Sequence, residues 1–293
     1  MEHRTTLSHC PICDNDTLEN VMNVTDYMIT KEEFTIQRCK KCDFHFTNPR
    51  PEESVNGNYY KSEDYISHSS TQKGVVNKLY NLVRSYTLKK KRKLIEKLTN
   101  ERNLLDIGSG TGHFLNECKT KGWNTLGLEP DTDARLFAKT NFNVELSPIE
   151  ELYALEHEKY NVVTMWHVLE HVYHLQKDVS QIVSLIKKDG YFVIAVPNHK
   201  SWDAQQYQFF WAAYDVPRHL YHFSEDNVKA LMQNFGMTHV KTLPMKFDSF
   251  YVSMLSEKYK NGSIVKAFFN GLKSNLKAKS GFGYSSQIYI FKK

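Results

Sequence analysis

The sequence predicts an α/β protein built on a parallel, doubly wound sheet, with a small cysteine-bearing module in front of the sheet. Three observations support this prediction. Apolar strand-like segments alternate with helix-like segments from about residue 103 onward, as is typical of parallel sheets. The first of these strands, at residues 104–107, runs into a glycine-rich turn that leads to a helix. Two Cys-x-x-Cys pairs precede the sheet, at residues 10–13 and 39–42.

Length and composition set bounds on the class of protein. The chain has 293 residues and is 41% hydrophobic, which is enough for a sizeable core. It has no apolar run of about 18 residues, so we expect no membrane span, and its first residues do not form an apolar signal segment. Five cysteines without such a signal indicate a reducing cytoplasm. The net charge of +5 is compatible with an anionic partner without requiring one.

The cysteines of the first segment have the spacing of a metal site. Each pair can place two sulfurs on one turn, so Cys10, Cys13, Cys39 and Cys42 can close a tetrahedral thiolate site. The pattern resembles a zinc ribbon, and we assign residues 1–60 to this ribbon and its linker. Four thiolates leave no open position for water, so a zinc ion there would be structural. Two disulfides or free thiols are the alternatives.

Residues 61–100 are expected to form a connecting helical segment. A tyrosine-rich linker with Tyr59, Tyr60 and Tyr65 leads into it, and apolar residues at helical spacing predict a helix over 75–98. Residues 89–93 are five consecutive cations, which cover every side of a helix. We interpret them as a solvated helix end, with contact to RNA phosphates as the alternative.

Residues 101–293 are expected to hold the sheet. The second strand ends at Glu129, the fourth spans 160–165 and is apolar enough to be central, and the fifth spans 191–196. Helices are expected over 132–140 and from Ser224 to near Gly236, and a further helix is expected to end at 187–190. Short strands near 143–146, 238–243 and 287–291 complete the sheet. An irregular insert occupies 198–223, and two helices form a cap insert at about 245–284.

The turn after the first strand has the pattern D-x-G-x-G-x-G, from Asp106 to Gly112. A phosphate-binding loop would end in Gly-Lys-Ser/Thr, and the dinucleotide fingerprint would need glycine where His113 stands. Glycines let a ligand approach the backbone closely, and the carboxylate of Asp106 favours an amino group over a phosphate on that ligand. A second acid, Glu129, ends the next strand, where it can hold ribose hydroxyls.

This pattern resembles motif I of class I S-adenosylmethionine (SAM) methyltransferases, and the resemblance implies SAM as cofactor. It places Asp106 near the methionine part, the glycine loop along the cofactor, and Glu129 on the ribose hydroxyls. Residues 148–150 are assigned to the adenine edge. The implied cofactor-binding residues are Asp106, Gly108, Ser109, Gly110, Gly112, Glu129, Pro148, Ile149, Glu150 and Trp166.

Residues 166–171, Trp-His-Val-Leu-Glu-His, directly follow the fourth strand. The string matches an inverted zinc-protease pattern, but that pattern requires a long helix, whereas these residues directly follow a buried strand. We therefore expect no metal here. The string resembles the segment that borders the sulfonium in SAM methyltransferases related to ubiquinone-biosynthesis enzymes. His167 and His171 are alternatively buried structural histidines.

The insert after the fifth strand carries several titratable side chains on the ligand side of the sheet. We predict His222 as the catalytic base, with His219 and Tyr221 shaping the acceptor site and Arg218 binding an acidic group of the acceptor. In the alternative, these histidines only fix the loop, and His167 becomes the next candidate for the base.

The order of ribbon, glycine loop, post-strand segment and insert is similar to that of zinc-ribbon-bearing class I methyltransferases of a bacterial type linked with polysaccharide or natural-product pathways. The resemblance implies a seven-stranded, Rossmann-like sheet with one antiparallel strand. Sugar C-methyltransferases of this kind carry Tyr-His-Glu-His in the insert, whereas residues 221–224 here are Tyr-His-Phe-Ser. We expect a cytoplasmic enzyme that methylates a small molecule or a glycan or lipid intermediate. An RNA methyltransferase and a non-enzymatic binding protein with a SAM fold are the alternatives.

Overall fold

The computed structural model describes residues 3–60 and 75–293, without the side chains of residues 75–80. The expectations for Tyr65 and for residues 61–74 therefore lie outside the described residues. The strands are β1 (Arg4–Thr5), β2 (Leu18–Thr25), β3 (Glu33–Cys39), β4 (His45–Thr47), β5 (Arg50–Pro51), β6 (Asn103–Ile107), β7 (Asn124–Leu128), β8 (Tyr160–Trp166), β9 (Ile186–Pro197), β10 (Tyr221–His222), β11 (Thr238–Pro244) and β12 (Ser286–Lys292).

The α-helices are α1 (Val75–Glu96), α2 (His113–Lys119), α3 (Thr132–Phe142), α4 (Leu175–Leu185), α5 (Trp202–Tyr207), α6 (Glu225–Gln233), α7 (Asp248–Tyr259) and α8 (Ile264–Lys277). Short 3-10 helices occupy Glu53–Tyr59, Ile149–Ala154, Leu169–His171, Gln208–Phe210, Ala212–Tyr214 and Ala278–Ser280.

The central sheet confirms the predicted α/β class. Its strand order in the described chain is β11-β12-β9-β8-β6-β7. Strands β9, β8, β6 and β7 are parallel neighbours, and β12 runs antiparallel to both β9 and β11. A single parallel bridge from Leu128 to Ser147 adds a seventh position beside β7, close to the expected short third strand. The sheet therefore has the seven positions and the one antiparallel strand that the resemblance implies.

Apolar side chains cover both faces of this sheet, because helices pack on each side. On one face, Leu104 and Val162 are buried with residues of α1, α2 and α3. On the other, Leu105 and Val163 are buried with residues of α4, α6 and the ribbon. Strand β8 is buried from its first residue to its sixth, which confirms that it is central. The ligand edge of the sheet lies where the parallel strands end.

One predicted boundary is wrong. Helix α4 ends at Leu185, not at residues 187–190, and β9 begins at once with Ile186. Ile186 has extended backbone angles (φ −77°, ψ 131°) and pairs with Tyr160 before the register shifts. Residues 187–190 belong to this strand, whose Asp189 has φ +63°. Strand pairing to β8 therefore begins at Ile186 and resumes at Tyr191, and the charged residues between them form an irregularity in the strand.

The ribbon and the insert share a sheet. Its strand order in the described chain is β10-β4-β3-β2, and β10 comes from the insert, with Tyr221 opposite Phe46 and His222 opposite His45. The Thr47 hydroxyl also donates to the carbonyl of His219, at 2.9 Å. The insert is thus held on the ribbon by backbone pairing, and the two parts fold against each other.

Arg218 fixes the same junction electrostatically. Its side chain is 1% exposed and bonds to Asp26 beyond β2, at 2.9 Å, and to Asp215 in the insert, at 2.7 Å. It also donates to the carbonyl of Tyr59 in the linker, at 3.0 Å. Both carboxylates hold the pKa of Arg218 above its usual value. The expectation that Arg218 binds an acidic substrate group is therefore wrong, because protein groups already engage its guanidinium.

Helices α7 and α8 form the predicted cap. They pack through small side chains: Ser249 donates to the carbonyl of Gly271, at 3.0 Å, and a β-carbon on Gly271 would lie 2.8 Å from the ring of Phe250. Ser274 donates to the buried Asp203 of α5, at 2.7 Å. No helix in the described part of the chain combines the length and the apolarity needed to cross a bilayer.

Replacing Arg218 by methionine should lower the free energy of unfolding by about 3–5 kcal/mol, because two buried carboxylates lose their cation. Urea denaturation followed by circular dichroism measures the change. Arg38→Met is the matched control, since Arg38 bonds to Glu19 on the exposed side of β3 and should change stability little. Equal losses in the two variants would contradict a structural role for the buried network.

Candidate active site

The glycine loop leaves β6 at the ligand edge. Gly108 and Gly110 both have left-handed backbones, with φ of 69° and 53°, which glycine adopts without strain. A β-carbon on Gly108 would lie 2.3 Å from Val168, whereas one on Gly110 would meet nothing within 4 Å. Gly110 therefore leaves open space at the point where a ligand is expected to approach. The Ser109 hydroxyl closes the turn on the carbonyl of Asp106, at 2.8 Å.

Asp106 is a buried acid at the end of β6, and its side chain receives a hydrogen bond from the next strand. Its Oδ1 accepts from the hydroxyl of Thr164 on β8, at 2.5 Å. Burial raises the pKa of Asp106 to about 7, although Thr164 and the ammonium of Lys91 favour the charged form. The arrangement suits a ligand group that brings positive charge to this edge.

Glu129 follows β7 and holds the glycine loop. Its Oε2 accepts from the backbone N–H of Gly110, at 2.7 Å, and its Oε1 accepts from that of Asp131, at 3.0 Å. The residue is 7% exposed, and burial raises its pKa. Each carboxylate oxygen retains a second lone pair for a ligand hydroxyl.

Residues 148–150 lie beside Glu129. The backbone N–H of Ser147 donates to the carbonyl of Gly127, and that of Glu129 donates to the carbonyl of Ser147, both at 2.9 Å. Pro148 then leads into the 3-10 helix Ile149–Ala154. The structure therefore brings the glycine loop, Glu129 and this segment to one edge of the sheet, as the sequence predicts.

Trp166 ends β8 and is covered by a lysine that the sequence analysis assigned to a solvated helix end. The Nζ atom of Lys91 lies 4.2 Å from the centre of the Trp166 ring. Burial lowers the pKa of Lys91 to about 8, while the carboxylates of Asp106 and Asp248 act in the opposite direction. The solvated interpretation is therefore wrong for Lys91, which points toward the candidate site.

His167 stands directly after β8 with a left-handed backbone, φ 59°. Its Nε2 lies 3.1 Å from Asp248 Oδ2, its Nδ1 lies 3.5 Å from Glu170 Oε1, and its side chain is 34% exposed. Burial would lower the pKa of His167, but Asp248 and Glu170 raise it to about 9. At neutral pH this imidazole is therefore a cation between two carboxylates, and solvent reaches it.

Glu170, His171 and His219 form a buried cluster behind His167. One potential ligand atom from each of the three lies within 4.8 Å of the others. The Nδ1 atoms of both histidines of the cluster are 2.9 Å from backbone carbonyl oxygens, which makes them donors. Burial lowers the pKa of His171 to about 4. His219 and His167 therefore both lie close to the carboxylate of Glu170.

His222 and Tyr221 lie against the ribbon. His222 is 4% exposed, and its Nε2 lies 3.1 Å from the hydroxyl of Thr47. Burial lowers the pKa of His222 well below its usual value. The Tyr221 hydroxyl accepts from Arg50, at 3.0 Å. These contacts show both side chains engaged in the junction between insert and ribbon.

The four ribbon sulfurs converge on one point. Cys10 Sγ and Cys42 Sγ are 3.5 Å apart, Cys13 Sγ and Cys39 Sγ are 3.6 Å apart, and all four lie within 4.8 Å of one another. A tetrahedral zinc site with Zn–S bonds of about 2.3 Å has sulfurs roughly 3.8 Å apart. Both pairs close in the same way, because the residue after each second cysteine donates its N–H to the carbonyl of the first. The donor set and spacing fit zinc.

A groove of about 1090 Å³ opens between α1 and the cap, beside Asp248. Its floor includes Leu243, Phe250 and Ile288, at the end of β11 and on the neighbouring elements. Seven lysines line it, and Asp248 is the one acid among its described lining residues. The groove therefore combines an apolar floor with a cationic rim, and it meets the candidate site at Asp248, the partner of His167; none of the glycine-loop residues, Glu129, Trp166 or His167 lines it.

Comparison with known proteins defines the class. A family profile described as "Methyltransferase domain" matches residues 80–242, more than half of the chain, and the chain belongs to this family. A curated Salmonella paratyphi A protein named ubiquinone biosynthesis O-methyltransferase is 34% identical over 110 residues. That match covers 34% of this chain and 46% of the Salmonella protein, so the chain spans about half the length of this relative.

Solved structures agree on the fold. A SAM-dependent methyltransferase from Archaeoglobus fulgidus is 23% identical, with a TM-score of 0.50 and coverage of 72% of this chain and 94% of that one. A candidate sarcosine dimethylglycine methyltransferase from Galdieria sulphuraria is 13% identical, also with a TM-score of 0.50. The match covers 72% of this chain and 85% of that one. Together with the family match, these structures confirm the predicted class: the chain is a methyltransferase-domain protein with the fold of class I SAM-dependent methyltransferases.

Two residues that contribute to the site, Lys91 and Asp248, were not predicted from the sequence. Lys91 is one of five consecutive cations, and no spacing distinguishes it from its neighbours. Asp248 lies 81 positions after His167 and carries no motif around it. A helix start after a strand at the ligand edge was the one available signal for Asp248, because such positions can reach the site.

Proposed function

We propose that this methyltransferase acts on a small-molecule acceptor, or a glycan or lipid intermediate, with His167 as the base. The observation that carries the proposal is the position of His167: partly exposed, held by two carboxylates, and directly after the strand that neighbours β6 and its glycine loop. The name of the Salmonella relative, an O-methyltransferase, supports an acceptor oxygen.

The cofactor contacts are assigned from the same edge. When bound, SAM supplies a methyl group on a sulfonium for attack by an acceptor held in line. The carboxylate of Asp106 suits the ammonium of the methionine end, and Lys91 suits its carboxylate. Glu129, which already holds the loop, has lone pairs left for the ribose hydroxyls. Residues 148–150 flank the adenine, and Trp166 borders the sulfonium.

His167 would take the proton that a hydroxyl acceptor loses as it forms its bond to the methyl carbon. With a pKa of about 9, the imidazole must first lose its own proton. A base of this strength is matched to a weakly acidic hydroxyl such as a phenol, whose pKa is about 10. Asp248 orients the imidazole through Nε2, and Glu170 through Nδ1.

His219 and His222 take positioning roles in this proposal. His219 supports Glu170 from the interior, and His222 fixes the insert on the ribbon through Thr47. Their burial supports the view that they hold the loop, so the base is assigned to His167.

An RNA acceptor is less well supported. Of the five cations at 89–93, Lys91 is directed toward Trp166, and Arg92 bonds to Glu96 and Glu117. Two of the five cations therefore have partners within the protein, and the groove that the other three help to line has an apolar floor, which an RNA backbone does not need. Salt-dependent RNA binding that weakens when Lys89, Lys90 and Lys93 are neutralised would favour the RNA reading instead.

The ribbon is assigned one structural zinc, held by Cys10, Cys13, Cys39 and Cys42. Since four thiolates close the coordination shell, the ion would stabilise the fold and take no part in methyl transfer. Its effect would reach the insert, because β10 pairs with β4.

Replacing Glu129 by alanine should weaken SAM binding by about 2–3 kcal/mol, roughly 30- to 150-fold, because a charge-assisted bidentate contact is lost. Isothermal titration calorimetry measures the affinity. Glu145→Ala is the control, since Glu145 is 80% exposed and pairs with Lys139 at the surface. Unchanged affinity in Glu129→Ala would contradict the assignment of the ribose site.

Native mass spectrometry of the protein with SAM and candidate metabolites should identify an acceptor by a mass gain equal to one methyl group. With that acceptor, His167→Gln should lower turnover by roughly a hundredfold or more while SAM affinity holds. His222→Gln should lower thermal stability and keep turnover. The reverse result would return the role of base to His222.

The pH profile separates a base from a merely structural imidazole. If neutral His167 is the active form, kcat/KM rises with pH and levels off above about 9, the pKa of the free enzyme. Asp248→Asn should move this rise to lower pH, because one of the two carboxylates that raise the pKa is removed. Asp189→Asn, at an exposed site on β9, should not change the pH at which kcat/KM rises. A profile unmoved by Asp248→Asn would count against the mechanism.

Protein purified without chelator should contain one zinc per chain, measured by elemental analysis, and Cys39→Ser should lose it and melt at a lower temperature. Cys118→Ala should keep the zinc, because Cys118 lies outside the cluster. SAM affinity should hold in Cys39→Ser, since Asp106 and Glu129 are not attached to the ribbon. Absence of zinc from the native protein would contradict the site, and loss of SAM binding in folded Cys39→Ser would show that the ribbon is not separable.

A further inference from the structure

Helix α8 is oriented with its large apolar side chains outward. Its inward face consists of small residues, Ala267, Gly271 and Ser274, which are buried against the rest of the protein. Six large apolar side chains on the same helix are instead 41–66% exposed: Ile264, Val265, Phe268, Phe269, Leu272 and Leu276. At 100° per residue these six fall within one stripe of about 140°.

All charged residues of α8 are lysines, and the charged side chains around it in sequence are also positive. Residues 258–293 contain eight lysines and no aspartate or glutamate. Lys266, Lys273 and Lys277 of α8 are exposed and flank the apolar stripe on one side of the helix. The chain as a whole has a net charge of only +5, so this C-terminal part holds more positive charge than the protein's total.

The lysine-lined groove continues the same surface. Leu272 and Leu276 belong both to the outward stripe and to the groove wall. Lys89, Lys90 and Lys93 of α1 and Lys97 just after it also line the groove, together with Lys246 and Lys279 from the cap. The apolar stripe is therefore bordered by the lysines of α8 and continues into a groove lined by further lysines.

We propose that the outward face of α8 docks on the surface of an anionic lipid bilayer. An amphipathic helix that lies in the plane of a bilayer buries its apolar face at the headgroup boundary, while lysines contact anionic headgroups. Phe268 and Phe269 lie midway along the length of the stripe, with Phe269 at the edge that faces the lysines, and provide the insertion. The rim lysines provide charge complementarity, which favours an anionic bilayer over an apolar protein surface or a second, equally cationic copy of this chain.

Vesicle co-sedimentation of the full-length protein tests the proposal, and it requires neither SAM nor an acceptor, so its outcome is independent of the proposed function. The protein should sediment with vesicles of phosphatidylcholine and phosphatidylglycerol but not with phosphatidylcholine alone, and added salt should weaken binding. The double variant Phe268→Ser, Phe269→Ser should bind at least tenfold more weakly. The triple variant Lys266→Glu, Lys273→Glu, Lys277→Glu should lose binding.

Matched controls come from the β7 side of the sheet. Leu136 of α3 is 61% exposed, and Leu136→Ser should bind vesicles like the unmodified protein. Charge reversal at the exposed Lys119, Lys121 and Lys139 changes the net charge equally and should reduce binding far less. Circular dichroism and melting temperature confirm that each variant is folded.

Three results would overturn the proposal. Equal binding to both kinds of vesicle would remove the role of the lysines. Absence of binding to either would show that the face is not a membrane surface. A dimer in multi-angle light scattering that dissociates in the double phenylalanine variant, with no vesicle binding, would identify a second copy of the chain as the occupant.

Discussion

The buried guanidinium of Arg218 is the interaction on which the arrangement of the site depends. It joins Asp26 of the ribbon, the carbonyl of Tyr59 in the linker, and Asp215 of the insert. Because a buried cation needs carboxylates within reach, all three segments must meet at one point. The β10–β4 pairing extends the junction, so the ribbon serves as the base on which the insert is built.

The insert in turn sets the surroundings of His167. His219 lies beside Glu170, and Glu170 lies beside His167. The cap contributes Asp248 from the other side. The imidazole therefore takes its charge state from two separate parts of the chain, the turn after β8 and the start of α7. A change in the ribbon can reach this group through packed, buried contacts.

The two faces of helix α8 in the cap have different roles. Small residues of α8 let it approach α7 and α5 closely, and Ser274 satisfies one oxygen of the buried Asp203. The large apolar residues are then left on the outside, where they gain nothing for the stability of the isolated chain. Together with the lysines of the groove, they give the cap an exposed surface that is both apolar and cationic.

The sequence determined the features that depend on neighbouring residues. The glycine loop with its two acids, the cysteine pairs, the central strand β8 and the Ser224 cap of α6 are all set by contacts within a few positions or by local periodicity. Strand ends of a parallel sheet meet at one edge, so the gathering of Asp106, Glu129 and residues 148–150 could also be predicted.

Tertiary structure decided which titratable groups face the site. Residue type and position after a strand made His167, His219 and His222 equally good candidates for the base. In the structure His167 is 34% exposed, whereas His222 is 4% exposed. Arg218 pairs with Asp26, which lies 192 positions earlier in the sequence, and Asp248 pairs with His167, which lies 81 positions earlier. Periodicity shows which side of an element is apolar or polar, but not which distant element covers that side. Burial and charge pairing, which set the pKa of each group, arise only when those elements pack.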